Sequence, residues 1–123
     1  MRKTIFAALA LAAFAAPASA AEPYGVWRRP EDGTTFSFFR CGSGLCVKVK
    51  GVTDPADRKH IGAMVFSGAS KTGPNVWEGR VKNLEDGQTY MGKITLNSAS
   101  SLTLDGCVLG GAICKGETWT RAR

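Results

Sequence analysis

Apolar and polar side chains alternate with a period of two along most of the chain beyond residue 20. Leu45, Val47 and Val49 alternate with Cys46, Lys48 and Lys50, and Trp77, Gly79 and Val81 alternate with Glu78, Arg80 and Lys82. Tyr90, Ile94 and Leu96 take turns with Met91, Lys93 and Thr95, and Leu102 and Leu104 with Thr103 and Asp105. In a strand this pattern sets one row of side chains on a core and the other in water. A sustained 3.6-residue period is missing. The runs predict eight short strands, at 24–29, 35–40, 45–51, 60–66, 75–82, 88–96, 100–107 and 113–121. Between them stand turn formers such as Pro30-Glu31-Asp32-Gly33, Gly42-Ser43-Gly44, Gly73-Pro74, Glu85-Asp86-Gly87 and Gly110-Gly111. Asp54 to Lys59 predicts one helical turn, with Asp54 as its cap and Pro55 in first position.

Eight sequential antiparallel strands with tight turns form a sandwich or close into a barrel. Closure removes both exposed sheet edges, so a squat eight-stranded up-and-down barrel is the expected all-β fold. Such a barrel is either filled by its own side chains or holds one small ligand. Glu31-Asp32-Gly33-Thr34-Thr35-Phe36 is echoed by Glu85-Asp86-Gly87-Gln88-Thr89-Tyr90, 54 residues later. Two copies indicate one hairpin chemistry used twice, not a repeat architecture.

Residues 1–20 read differently. Met1-Arg2-Lys3 is a short basic start, Thr4 to Ala16 is apolar on every side, and Ala18-Ser19-Ala20 is a small-residue cleavage pattern. This is the expectation for a secretory signal peptide, with a single domain at 21–123. The apolar stretch is too short for a membrane span. Export to the periplasm or beyond follows, and the cysteines agree with it.

The chain carries sixteen Lys and Arg against ten Asp and Glu; cleavage would remove Arg2 and Lys3 and leave fourteen against ten. That excess is spread thinly, which fits solubility and gives no nucleic-acid footprint.

Four cysteines in an exported chain imply disulfides, and four allow three pairings. Spacing favours Cys41–Cys46 and Cys107–Cys114. With Ser43-Gly44 as a two-residue loop, Cys41 and Cys46 fall opposite each other as a non-hydrogen-bonded pair, ~4.5 Å apart at Cα. Cys107 and Cys114, folded around Gly110-Gly111, fall as a hydrogen-bonded pair near ~5.5 Å. Neither spacing suits zinc, and no metal or cofactor is expected.

Gly25-Val26-Trp27 and Trp119-Thr120-Arg121 resemble the G-x-W and late Arg of lipocalin-type (calycin) barrels. More specifically, residues 24–121 are similar to an exported bacterial family catalogued as domain of unknown function 2147. The residues carrying that likeness are Gly25-x-Trp27, Trp77-Glu78-Gly79, Glu85-Asp86-Gly87-Gln88-Thr89-Tyr90-x-Gly92, Leu104-x-Gly106-Cys107 and Trp119-x-Arg121. The resemblance implies a lipocalin-like barrel and a small-ligand role, and it implies that Gly25, Trp27, Trp119 and Arg121 seal one end by cation–π stacking and hydrogen bonds. The stretch at 53–75 is short and rich in Ser and Gly, a departure that bears on the portal.

Catalysis is not expected. His60 follows Asp57-Arg58-Lys59 in a polar context, and no Ser stands in a Gly-x-Ser-x-Gly elbow. Glu31/Asp32 and Glu85/Asp86 read as turn residues before they read as acid–base pairs. Among the aromatics, Trp27 and Trp119 are expected in the core, while Trp77, Tyr90 and Phe38, with Ile94, are the candidate lining of a pocket for a small apolar ligand, lipid-like or aromatic. Arg80 and Lys93 fall on the opposite parity and should face solvent; Arg121 shares the parity of Trp119 and should pack inward. The alternative is a filled barrel whose loops bind an envelope protein as an accessory or inhibitor module.

Overall fold

A computed structural model describes residues 21–123; the signal-peptide expectation for residues 1–20 lies outside the described residues. Eight strands follow one another around a closed antiparallel barrel: β1 (Gly25–Arg28), β2 (Thr35–Cys41), β3 (Gly44–Gly51), β4 (Met64–Gly73), β5 (Val76–Lys82), β6 (Thr89–Ser98), β7 (Ser101–Val108) and β8 (Ile113–Arg121). Each strand pairs with its neighbours in sequence, and β8 returns to β1 through Trp27↔Arg121 and Arg28↔Thr120. That seam is short. It is extended by backbone bonds from Val26 N–H to the Arg123 carbonyl and from Ala122 N–H to the Val26 carbonyl.

Up-and-down order sends alternate loops to opposite ends. The β1–β2, β3–β4, β5–β6 and β7–β8 connections share one end, and the β2–β3, β4–β5 and β6–β7 turns lie with the seam at the other. Inward side chains at the second end fill the barrel: Trp27, Phe38, Leu45, Ile94 and Leu102 are all essentially inaccessible. Outward positions such as Arg80 and Lys93 are exposed.

Two expectations about β3 and β4 are corrected. The β2–β3 turn is Gly42-Ser43, not Ser43-Gly44, since Cys41 pairs with Gly44 and Phe39 with Cys46. Gly42 takes φ +59°, a left-handed conformation glycine reaches without steric cost. β4 begins at Met64 and runs to Gly73, where 60–66 was expected. His60 instead ends a 3-10 helix (Pro55–His60) capped as the sequence predicts, with the Asp54 carboxylate accepting from Ala56 N–H at 2.9 Å. A bulge explains why alternation fails in β4. Val47 pairs with Phe66 but Lys48 with Met64, so Val65 is an extra residue and both Val65 and Phe66 are buried. Beyond it Ala69 is the one buried side chain, which leaves the second half of the strand without an apolar period.

Both disulfides form within hairpins. Cys41–Cys46 is a diagonal pair with Cα atoms 5.8 Å apart, a consequence of the shifted turn. Cys107 and Cys114 pair directly at 4.0 Å, the closer of the two antiparallel spacings and not the wider one expected. Two such bonds fit an exported protein.

The Asp-Gly echo is a structural repeat. Gly33 N–H bonds the Arg29 carbonyl and Arg29 N–H the Thr34 carbonyl; Gly87, Asn83 and Gln88 repeat both bonds at the same 2.8 Å. Asp32 and Asp86 each accept from the backbone N–H two residues on, at 3.0 and 2.8 Å. Both turns stand at the end opposite the seam.

Candidate functional site

The two ends of the barrel differ because the β1–β8 seam concentrates large side chains and one arginine at one of them. Arg121 projects inward from β8, its guanidinium carbon 4.4 Å from the centroid of the Trp27 ring. Its nitrogens donate to three backbone carbonyls, those of Ala99, Tyr24 (2.8 Å) and Glu22. Trp27 donates its indole N–H to the Pro23 carbonyl at 2.9 Å. Gly25 makes room for this arrangement: its φ is +127°, and a Cβ there would lie 2.9 Å from Arg121 Nη1 and 2.7 Å from the Arg123 carbonyl oxygen. A planar cation with several donors is the side chain suited to stacking and bridging at once.

The opposite end is open. A cavity of about 560 Å³ enters there and extends inward to Phe36 and Trp119. Those two rings stack with centroids 4.3 Å apart. Around them the wall is aliphatic, from Val49, Val65, Val81 and Leu104. Gly106 also faces it, and a Cβ at that position would meet nothing within 4 Å. The mouth is polar: Arg29 and Asp32 of the first Asp-Gly turn, Glu85 of the second, and Asp57 and His60 of the 3-10 helix all border it.

The four residues expected to line a pocket separate. Tyr90 does line the cavity, its hydroxyl donating to Asp86 at 2.7 Å. Phe38, Trp77 and Ile94 do not: they belong to the packed layer at the closed end, where Trp77 lies beneath the Lys71 ammonium at 5.5 Å and Phe38 packs against both Trp27 and Trp119. Parity identified all of them as inward, but height along the barrel is set by strand stagger, which a single strand's pattern does not carry. Trp119, expected in the core, forms part of the cavity wall although it is nearly inaccessible.

Glu117 joins the site without belonging to any of the motifs above. Register places it one inward step above Trp119, opposite Leu104, and its Oε1 accepts the Trp119 indole N–H at 2.6 Å. Lys115 follows, opposite Gly106. The signal lay in the Lys115, Glu117, Trp119 alternation, which puts charge on the inward parity of a strand whose other face is also polar.

Electrostatics at the mouth centre on one ion pair. Arg29 Nη2 and Nε contact Asp32 at 2.7 and 3.0 Å, and the guanidinium lies over Phe36 at 5.2 Å. Burial works against the Arg29 charge, but Asp32, with Glu117 and Glu31, more than offsets it and holds the pKa above its ordinary value. Hydrogen bonding to Arg29 takes Asp32 down to about 2. Asp86 is lowered by the bond from Tyr90, and the Tyr90 hydroxyl is raised by the same bond. Among the described residues no group of three or more His, Cys, Asp or Glu is arranged to hold a metal.

Residues 25–121 match the family described as an uncharacterized protein conserved in bacteria (DUF2147). The chain belongs to this family. The fold of this DUF2147 protein is shared with protein HP1028 from Helicobacter pylori, described as belonging to the lipocalin family: TM-score 0.72 and 20% identity over 84% of each chain. A redesigned β barrel is also similar, with TM-score 0.53, 15% identity, and coverage of 81% of this chain and 90% of the other. No curated protein matches the sequence significantly. At these identities the shared property is the lipocalin-like barrel itself. Among the described residues no helix is long and apolar enough to cross a membrane.

Proposed function

We propose that this chain binds one small ligand of mainly apolar surface in the open half of the barrel, as a non-enzymatic carrier or sensor working in the periplasm or outside the cell. The cavity carries the reading: about 560 Å³ lies within the range of small-molecule sites, and aliphatic walls with a few convergent polar groups are what such sites contain. The lipocalin-like neighbour supports it at the level of fold. Among the described residues Trp119 is the only tryptophan on the cavity wall, so its emission is the natural reporter. Titration with decanol or naphthalene should give a saturable one-to-one change in fluorescence. Gly106→Phe, which fills the wall, should abolish it while the barrel stays folded. Indifference of the fluorescence to both compounds, with calorimetry equally silent, would sink the proposal.

A second reading rests on the β7–β8 tip, where Leu109 is 74% and Ile113 56% exposed beside Val108 and Met91. An apolar tip pinned by Cys107–Cys114 suits contact with an envelope protein. Retention of the purified chain by envelope fractions, lost in Leu109→Ser with ligand binding unchanged, would favour it.

A further inference from the structure

We infer that the ligand of this cavity is a cationic amphiphile, an apolar frame bearing a protonated amine, and that Glu117 seats the amine. The inference rests on the ligand-binding reading above and adds to it the chemistry of the head group.

Glu117 is the carboxylate that strand register places inside the barrel. It stands on β8 between Trp119 below and Lys115 above, all three on the cavity wall. One of its oxygens is taken by the Trp119 indole N–H at 2.6 Å, which fixes the carboxylate's orientation. The other has no protein hydrogen-bond donor among the described residues. Neither neighbouring cation is in contact with it, although Arg29 is near enough to feel its charge. The guanidinium of Arg29 is occupied by both oxygens of Asp32, and among the described residues no Lys or Arg nitrogen lies within 4.0 Å of Glu117. Opposite Glu117 is Leu104, and the aliphatic wall continues through Val81 and Val65. The site therefore offers one oriented anionic acceptor at the edge of an apolar chamber. A ligand of purely hydrocarbon surface would strip water from that oxygen and return nothing for it.

The wider field has the same sign. Five carboxylates and three Lys or Arg side chains border the cavity, in a chain whose formal net charge is +6. The mouth is thus negative on a positive molecule. A cleft of one sign with low-dielectric walls concentrates ligands of the other. Fatty acids, whose head group is anionic, are disfavoured by the same arrangement. An ammonium on a linear or compact apolar body meets both requirements: three donors for the free oxygen of Glu117, and methylenes against Val81 and Leu104.

The test compares decylamine, decanol and decanoate, which share one chain and differ in the head, by Trp119 fluorescence and calorimetry at low ionic strength. Decylamine should bind about tenfold more tightly than decanol, the scale of a hydrogen bond to a charged group, and decanoate more weakly than either. Glu117→Gln keeps an acceptor for the indole and should bring the ratio of decylamine to decanol affinity close to one. Lys115→Gln should preserve the amine preference. If Glu117→Gln does not fold, as judged by far-ultraviolet dichroism, Glu117→Asp should reduce the preference without removing it. Equal binding of decylamine and decanol, tightest binding of decanoate, or an amine preference that survives Glu117→Gln overturns the inference and leaves the cavity reading standing. Failure of all three probes to bind overturns both.

Discussion

Arg121 covers the ring of Trp27 at 4.4 Å while its donors reach carbonyls of Glu22, Tyr24 and Ala99, two segments lying about a hundred and about twenty positions away in sequence. One side chain thereby joins the segment just before β1, the β6–β7 turn and β8, at the seam where strand pairing is shortest. Lysine at 121 would keep the charge but lose the planar stack and the forked geometry. Arg121→Lys is expected to cost about 2 kcal/mol, and Arg121→Ala more, since carbonyls at the seam would lose their donors. Urea unfolding should show a lower midpoint with an unchanged slope; an unchanged midpoint would remove the seal from the account.

Gly25→Ala probes the same contact from the other side. Alanine would have to hold a φ of +127°, which L residues rarely adopt, and its Cβ would meet Arg121 Nη1 and the Arg123 carbonyl. A loss of about 1–3 kcal/mol is expected, comparable to overpacking a core. It should be less than additive with Arg121→Ala, because both changes disturb one contact.

Acid should weaken the mouth before the seam. Asp32 is held at about 2 by Arg29, below its ordinary 3.8. A lowered folded-state value means that the stabilisation is whole above pH of about 4 and drains as pH falls toward 2. The Asp32 side chain is 42% exposed, so solvent screening limits the contribution to about 1 kcal/mol or less. Asp32→Asn should lower the urea midpoint at pH 7 and converge on the parent as pH falls below about 2. A constant difference across that range would contradict the linkage.

The disulfides close loops of only 5 and 7 residues in sequence separation. On chain-entropy grounds each contributes about 2 kcal/mol, less than a long-range bond would. Replacing Cys107 and Cys114 by Ser should lower the melting temperature by roughly 8–16 °C in a domain of this size and leave a folded barrel. Complete unfolding of that variant at room temperature would show a larger role than loop closure explains.

Gly92→Ala addresses the middle of the barrel. Its Cβ would sit 2.5 Å from Phe66 Cζ and 2.9 Å from Val81 Cβ. Displacing a buried ring should cost about 1–3 kcal/mol, and the moved Phe66 or Val81 should also alter decanol affinity. Lost stability with identical binding would separate this layer from the cavity.

Much of this protein was written locally. Alternation gave the inward face of β3, β5, β6 and β7, Asp32-Gly33 and Asp86-Gly87 specified two identical turns, and Asp54-Pro55 capped a helical turn, because each depends on residues close together in sequence. The G-x-W and W-x-R pairs were legible as partners through resemblance, since closing a barrel needs the first and last strands to meet. What the chain could not state alone was height along the barrel axis. Phe38, Ile94 and Trp77 share parity with Tyr90, yet stagger between strands carries them to the packed end and leaves Phe36, Trp119 and Glu117 at the cavity. The bulge at Val65 and the one-residue shift of the Gly42-Ser43 turn likewise depend on the partner strand. Periodicity belongs to one strand and depth to all eight, so the inner face could be read from the sequence, while the division of that face into core and chamber required the closed barrel.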